Sequence, residues 1–151
     1  MHIVLFEPEI PANTGNISRT CAVTGITLHL IKPLGFSLSD RYLKRAGLDY
    51  WDKLDLFVHE NFADFLSKNP AARLFMVSTH ADKNYAEVSY QADDYLVFGP
   101  ETRGLPPEIR DRYGMAVRIP MGKEIRSLNL SNSVAIAAYE ALRQLKFPGL
   151  C

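Results

Sequence analysis

Short apolar runs separated by polar, turn-forming segments recur along the whole chain. The runs are rich in β-branched and aromatic residues, and they predict strands at residues 2–6, 27–31, 54–59, 73–78, 94–98 and 115–119. Helices are predicted between them at residues 13–24, 40–45, 61–68 and 106–111, and a last helix begins between residues 127 and 132 and ends near residue 146. Strands that alternate with helices indicate an α/β fold, a mostly parallel sheet covered by helices on both faces.

Capping residues support two of the predicted helices. Asn13 or Thr14 is placed to cap the first helix, and Gly25 is placed to close it. Asn61 precedes a helix with an aromatic face and is predicted to be its cap. The pattern at residues 85–91 is ambiguous between helix and strand.

The last helix is apolar around most of its circumference. One side carries Leu130, Val134, Ala137, Ala141 and Leu145, and Ala135, Ile136, Ala138 and Leu142 widen the apolar surface beyond it. Such a helix is buried on more than one side. Two interpretations stay open: a central core helix, or a homodimer contact in which small alanines let two helices approach closely, with the first helix as the partner.

Composition limits the class of protein. With 151 residues, 47% of them hydrophobic, the chain is expected to form a single domain over residues 1–151 with a substantial core. Lysine plus arginine number 17 and aspartate plus glutamate 17, so nucleic acid would have to be bound by a local basic patch. The two cysteines, Cys21 and Cys151, form no disulfide framework. With no signal-peptide pattern and no apolar run near the roughly 20 residues that cross a bilayer, we expect a cytoplasmic protein without membrane contact.

Familiar catalytic motifs do not occur in the sequence. It lacks the G-x-S-x-G elbow, H-E-x-x-H, the P-loop and a G-x-G-x-x-G after the first strand. The four histidines, His2, His29, His59 and His80, have no motif partners, and we interpret them as structural. Neither a nucleophile nor a metal site is therefore predicted.

Four loops that follow strands carry the functional signal. They span residues 7–16, 98–106, 119–121 and 126–132, and they are poor in apolar bulk and rich in Gly, Asn, Ser and Pro. Loops at strand ends form the ligand sites of α/β proteins. Glycines such as Gly99 and Gly104 allow a ligand to approach the backbone closely. The loops therefore favour a polar ligand, such as a nucleoside, that is held by main-chain groups.

The same segments resemble the three signature motifs of the SPOUT superfamily of methyltransferases. The resemblance lies in residues 13–16 with Arg19, in residues 98–105, and in residues 119–121 with 127–131. Residues 7–11, 45–50 and 148–149 also resemble the small single-domain subgroup that methylates the ribose 2′-oxygen of the tRNA wobble nucleotide. The resemblance covers nearly the whole chain.

The resemblance implies a fold, an assembly and a reaction. It implies a deep trefoil knot at the C-terminal end and a homodimer whose site uses residues of both chains. It implies S-adenosylmethionine as cofactor and a tRNA as substrate, methylated on the ribose of a wobble cytidine or uridine. Alternatives stay open: methylation of another RNA such as rRNA, or an RNA-binding module that has lost catalysis.

The resemblance also assigns roles to individual residues. The implied catalytic residues are Arg19, Asn13, Glu101 and Tyr139. The cofactor is expected to contact Val77, Gly99, Ile119, Met121, Ser127 and Leu128. The RNA is expected to contact Arg41, Lys44, Arg45, Arg103, Arg126 and Asn129. Arg19 could act in the proton step or stabilise charge, and Asn13 could simply cap the first helix.

Overall fold

The strands and helices are defined by a computed structural model, which describes residues 1–39, 50, 53–124 and 127–151. The strands are β1 (His2–Phe6), β2 (Thr27–Ile31), β3 (Leu56–His59), β4 (Leu74–Val77), β5 (Tyr95–Phe98) and β6 (Met115–Val117). The helices are α1 (Pro11–Thr24), α2 (Phe62–Lys68), α3 (Pro107–Arg110) and α4 (Leu130–Gln144), and a 3₁₀ turn lies at Tyr85–Glu87. The predicted helix at residues 40–45 lies outside the described residues.

Within these residues the strands form one sheet in the order β3-β2-β1-β5-β4-β6, and each neighbouring pair is parallel. The prediction of a mostly parallel sheet is therefore confirmed. Strand β6 is shorter than predicted and ends at Val117. The next residue, Arg118, leaves the ladder with β4 and instead exchanges main-chain hydrogen bonds with Lys83 and Tyr85.

Helices cover both faces of the sheet, as predicted. One core cluster contains Ile17 and Cys21 of α1 together with Val134 and Ala137 of α4. The second cluster contains Phe62 and Phe65 of α2 on the opposite face, with Leu105 from the loop before α3. Since α1 also packs against α4, the first and last helices form one layer.

The first helix begins two residues before the predicted cap. It starts at Pro11, a residue whose fixed φ suits a first helical position. Its N-cap is Ile10, which has no side-chain capping bond. The prediction that Asn13 or Thr14 caps this helix was wrong, because Asn13 lies in the first turn and uses its side chain elsewhere. Gly25 does close the helix, with a φ of 69°.

The last helix is partly core and partly surface. Val134, Ala137, Ala138, Ala141 and Leu142 are buried, whereas Ile136 is 38% and Tyr139 46% exposed. Val23 on α1 is 50% exposed. An apolar surface therefore remains on the α1–α4 layer. No helix among the described residues is long and apolar enough to cross a membrane.

Three of the histidines, His2, His29 and His59, form a row of hydrogen-bonded rings beneath α2. His2 Nδ1 lies 3.1 Å from His29 Nε2, and His29 Nδ1 lies 3.0 Å from His59 Nε2. His59 Nδ1 faces Asp64 Oδ2 at 3.8 Å. Burial, with a smaller effect of the neighbouring His2 and His59, lowers the pKa of His29 to about 3. His29 is therefore neutral near pH 7, and we interpret the three linked histidines as structural residues of the sheet.

Candidate active site

A cavity of about 320 Å³ lies where strands β4, β5 and β6 end. Its walls come from the segments that follow these strands, from the start of α1 and from the start of α4. The lining residues are Ile10, Asn13, Val77, Ser78, Thr79, Phe98, Gly99, Pro100, Glu101, Gly104, Leu105, Ile119, Met121, Ser127, Leu128, Asn129, Leu130 and Ser133. This volume is at the lower end of the range for small-molecule sites.

The sheet order explains why the loops meet here. Strand β1 pairs with β2 on one side and with β5 on the other. After β1 the chain adds β2 and β3 on one side of it, and then crosses over to add β4, β5 and β6 on the other side. In open parallel sheets, ligands bind outside the carboxyl ends of the strands at such a switch point.

Glu101 joins the loop after β5 to the start of α1. Its carboxylate accepts hydrogen bonds from the main-chain N–H of Glu9 at 2.8 Å, from that of Ile10 at 3.1 Å, and from Asn13 Nδ2 at 3.1 Å. A carboxylate at the positive end of a helix is favourable. Glu101 therefore holds the start of α1 from outside the helix, through the N–H groups of the two residues that precede Pro11.

Asn13 is buried and joins Glu101 to α4. While its Nδ2 donates to Glu101, its Oδ1 accepts from Asn129 Nδ2 at 3.0 Å. Asn129 Oδ1 accepts from the main-chain N–H of Ser131 at 2.9 Å and from that of Asn132 at 3.3 Å. The predicted start of α4 is thus confirmed, with Asn129 as its N-cap. The bonds fix the Asn13 amide in one orientation beside the cavity.

Gly99 allows the loop after β5 to close tightly. A Cβ at this position would lie 2.2 Å from the main-chain nitrogen of Leu105 and 2.3 Å from the carbonyl carbon of Gly104. Gly104 itself has a φ of 67°, in the left-handed region that favours glycine. The loop can therefore form the cavity wall only with glycine at position 99.

The remaining chemistry of the cavity is mild. Among its described lining residues, Glu101 is the single acidic or basic side chain, and the others are apolar, amide or hydroxyl. Burial raises the pKa of the Cys21 thiol, which keeps it protonated within α1. No group of metal-ligating side chains occurs in the described part of the chain. The cavity fits a polar ligand that brings its own reactive group.

The structure brings most of the predicted site residues to this cavity. Val77, Gly99, Ile119, Met121, Ser127 and Leu128 all line it, as do Asn13, Glu101 and Asn129. Ser78 and Thr79 were missed, although two hydroxyl residues directly after a strand are a signal that the sequence contains. Leu105 and Ser133 were also missed.

Other predicted residues lie elsewhere. Arg19 is exposed on α1, with its guanidinium carbon 5.2 Å from the centre of the Tyr50 ring, and it does not line the cavity of its own chain. Tyr139 is exposed on α4, 6.5 Å from the Phe147 ring. Arg103 forms an ion pair with Glu7. Arg41, Lys44, Arg45 and Arg126 lie outside the described residues.

Comparison with known proteins identifies the family. The model of the SpoU rRNA Methylase family matches residues 1–139. The chain belongs to this family. The segments that form the cavity all lie within the matched region.

Relatives within the SpoU family resemble the chain over its full length. A protein of Yersinia pestis named tRNA (cytidine(34)-2′-O)-methyltransferase is 53% identical, covering 99% of this chain and 96% of that protein. A solved structure described as giving insights into the 2-OH methylation of C/U34 on tRNA is 51% identical, with a TM-score of 0.93 over 96% of this chain and 95% of that one. An AdoMet-bound rRNA methyltransferase from Sinorhizobium meliloti is 25% identical, with a TM-score of 0.86 over 95% of this chain and 56% of that one.

Proposed function

We propose that this chain is a methyltransferase that transfers a methyl group from S-adenosylmethionine to the ribose 2′-hydroxyl of nucleotide 34, a cytidine or uridine, in tRNA. The observation that carries the proposal is the cavity at the carboxyl edge of the sheet, built by the segments that resemble the SPOUT motifs. Two relatives that are 53% identical to this chain over nearly its full length are named for methylation of the 2′-oxygen of cytidine 34 in tRNA.

The cavity walls suit S-adenosylmethionine. Apolar side chains of Ile119, Met121 and Leu128 offer surfaces for an adenine ring, and the hydroxyls of Ser78 and Ser127 offer hydrogen bonds. Bound there, the cofactor supplies an electrophilic methyl group on a sulfonium. The residues of the chain then orient the reactants and exclude water.

Asn13 and Arg19 receive the roles nearest to the ribose. The Asn13 amide is fixed by Glu101 and Asn129, so it can hold a hydroxyl group at the cavity rim without moving. Arginine stays charged in proteins. We therefore assign to Arg19 the electrostatic stabilisation of the ribose oxygen as its proton is lost.

A homodimer would bring Arg19 to a cavity. Arg19 does not line the cavity of its own chain, and the α1–α4 layer carries exposed Val23, Ile136 and Tyr139. Pairing of two such layers would bury these side chains and place the partner's Arg19 beside the cavity. Tyr139 is then a residue of the dimer contact or of the active-site rim.

The RNA contacts and several further properties stay predictions from the family resemblance. Arg41, Lys44, Arg45 and Arg126 are proposed to bind RNA phosphates, whereas the Arg103 guanidinium is engaged by Glu7. The trefoil knot, the single-domain organisation over residues 1–151 and the cytoplasmic location are proposed on the same ground.

Nucleoside mapping tests the proposed function. Purified protein is incubated with tRNA from a strain lacking wobble methylation and with methyl-labelled S-adenosylmethionine, and the RNA is digested to nucleosides. We expect label in 2′-O-methylated cytidine or uridine at position 34 with the wild type, and at least a hundredfold slower labelling with Arg19→Ala.

The alternatives are distinguished by adding rRNA to the same incubation and by a separate calorimetric measurement. Label in rRNA fragments and not in tRNA would identify the protein as an rRNA methyltransferase. Failure to bind S-adenosylmethionine in calorimetry would instead favour an RNA-binding module without catalysis.

A further inference from the structure

The loops after β1 and β5 exchange hydrogen bonds in both directions. Glu9 donates its main-chain N–H to Glu101 at 2.8 Å. In return, the Glu9 carboxylate accepts the main-chain N–H of Thr102 at 3.1 Å and the Thr102 hydroxyl at 2.8 Å and 2.9 Å from its two oxygens. Glu101 and Thr102 of one loop are thus bound to the main chain and to the side chain of Glu9 in the other loop. Neither loop can shift relative to the other without breaking these hydrogen bonds.

The backbone of Glu9 is also in close contact with the loop after β2. A Cβ on Gly35 would lie 2.7 Å from the Glu9 Cα and 2.7 Å from its carbonyl oxygen. The Gly35 N–H donates to the Pro8 carbonyl at 2.9 Å. Glu9 is therefore held between the loop after β2 and the loop after β5.

The residues that follow Glu9 form one wall of the cavity. Ile10, the N-cap of α1, and Asn13, in the first turn of α1, both line it. The main-chain N–H of Ile10 and the side-chain amide of Asn13 both donate to Glu101, so the position of this wall depends on the loop after β5. Val77, Ile119 and Leu128, which also line the cavity, form no hydrogen bond with Glu9 among the bonds of the described residues.

We propose that Glu9 and Thr102 are positioning residues for methyl transfer, a role that rests on the proposed function. They hold the wall that carries Asn13 at a fixed distance from the wall that holds the methyl donor. Since neither touches the reacting atoms, they act through Asn13 and Ile10. Misplacement of a reacting group by about 1 Å can slow a reaction about a hundredfold, so loosening this bond affects turnover more than cofactor binding.

Two substitutions of Thr102 test this role. Thr102→Val removes the hydroxyl and keeps the shape, and Thr102→Ser keeps the hydroxyl. The matched control is Thr27→Val, which removes an equally exposed threonine-to-carboxylate bond, 2.8 Å long, to Asp55 at the amino end of the sheet. Turnover with saturating tRNA, S-adenosylmethionine affinity by calorimetry, and thermal midpoint are measured for each.

We expect Thr102→Val to lower kcat about tenfold, with the S-adenosylmethionine Kd changed less than about twofold. Thr102→Ser and Thr27→Val are expected to keep the wild-type kcat. A wild-type kcat for Thr102→Val overturns the role while leaving the proposed function intact. An equal loss of kcat in Thr27→Val also overturns it, because the effect would then be general.

Amide hydrogen exchange tests the bond without RNA or cofactor. Thr102→Val is expected to speed exchange at the Glu9 and Ile10 amides about tenfold, because their opening becomes easier. Unchanged exchange at both amides overturns the positioning role of Glu9 and Thr102, even if turnover falls. Absence of methyl transfer by the wild type would instead overturn the proposed function, and the positioning role with it.

Discussion

Asn129 donates its side-chain amide to the Asn13 oxygen at 3.0 Å, although 116 positions separate the two residues. The bond joins the first turn of α1 to the N-cap of α4. Because the Asn129 oxygen also accepts the first main-chain N–H groups of α4, one side chain both caps a helix and orients a residue of the cavity. Substitutions at this position are expected to affect stability and activity together.

Asn129→Ala is expected to lower the free energy of unfolding by about 1 kcal/mol through loss of the cap. It also removes one of the two side-chain bonds that fix the Asn13 amide, so we expect methyl transfer to fall at least tenfold. Urea unfolding and single-turnover kinetics measure the two effects. Asn61→Ala is the matched control, since Asn61 caps α2 by the same type of bond, to the Asp64 N–H at 2.9 Å, away from the cavity. Equal losses of activity in both variants would contradict the prediction.

Gly99→Ala is expected to weaken S-adenosylmethionine binding at least tenfold. The added Cβ would overlap the main chain of Gly104 and Leu105, and the loop would have to open. Gly122→Ala, next to the cavity residue Met121, is the control, because a Cβ at Gly122 meets no atom of the described residues within 4 Å. Calorimetry measures both affinities. Normal binding by Gly99→Ala would show that this loop is not part of the cofactor site.

Ile136→Glu is expected to convert the proposed homodimer into monomers and to abolish methyl transfer. Ile136 is exposed on the α1–α4 layer, and burying a carboxylate in an apolar interface is strongly unfavourable. Analytical ultracentrifugation and activity are measured at the same concentration. Met115→Glu, at an equally exposed apolar position on β6, is expected to leave both unchanged. A fully active monomer would refute the shared site.

Stability is expected to fall as the pH drops from about 6.5 towards 4.5. Burial lowers the pKa of His29 to about 3, and it also lowers those of His2 and His59. The unfolded chain therefore binds protons that the folded chain does not, so stability is present above pH 6.5 and lost below it. Each such proton contributes about 1.4 kcal/mol per pH unit.

Urea unfolding at several pH values checks this dependence. His29→Gln is expected to make the free energy of unfolding depend less steeply on pH. The slope should fall by the equivalent of about one bound proton. Carboxylates whose pKa is lowered by cations, such as Asp64 beside Lys68, add to the loss only below about pH 4. A flat profile between pH 6.5 and 4.5 would refute the assignment.

The fold could be predicted largely because its signals are local. The apolar run of β1 and the turn at Gly25 depend on a few adjacent residues, and both were predicted at the correct positions. The start of α1 was not, because it is held by the carboxylate of Glu101, which lies 92 positions away from Glu9 along the chain. No sequence pattern within the helix reveals such a partner.

The site was predictable at the level of loops and less so at the level of single bonds. The family motifs pointed to Gly99 and Leu128, which the structure places on the cavity. The ion pair between Arg103 and Glu7 could not be foreseen, since it depends on the adjacency of β1 and β5. An arginine that was expected to reach RNA is therefore already bound within its own chain.

The pairing of β1 with β5 also has a consequence for biosynthesis. When the ribosome has completed α1, the chain has yet to produce Glu101, the residue that will hold the beginning of that helix. Asn129 emerges later still. A nascent or truncated polypeptide that stops before these residues lacks both side chains that hold the start of α1, so the cavity can form only after Asn129 has been synthesised.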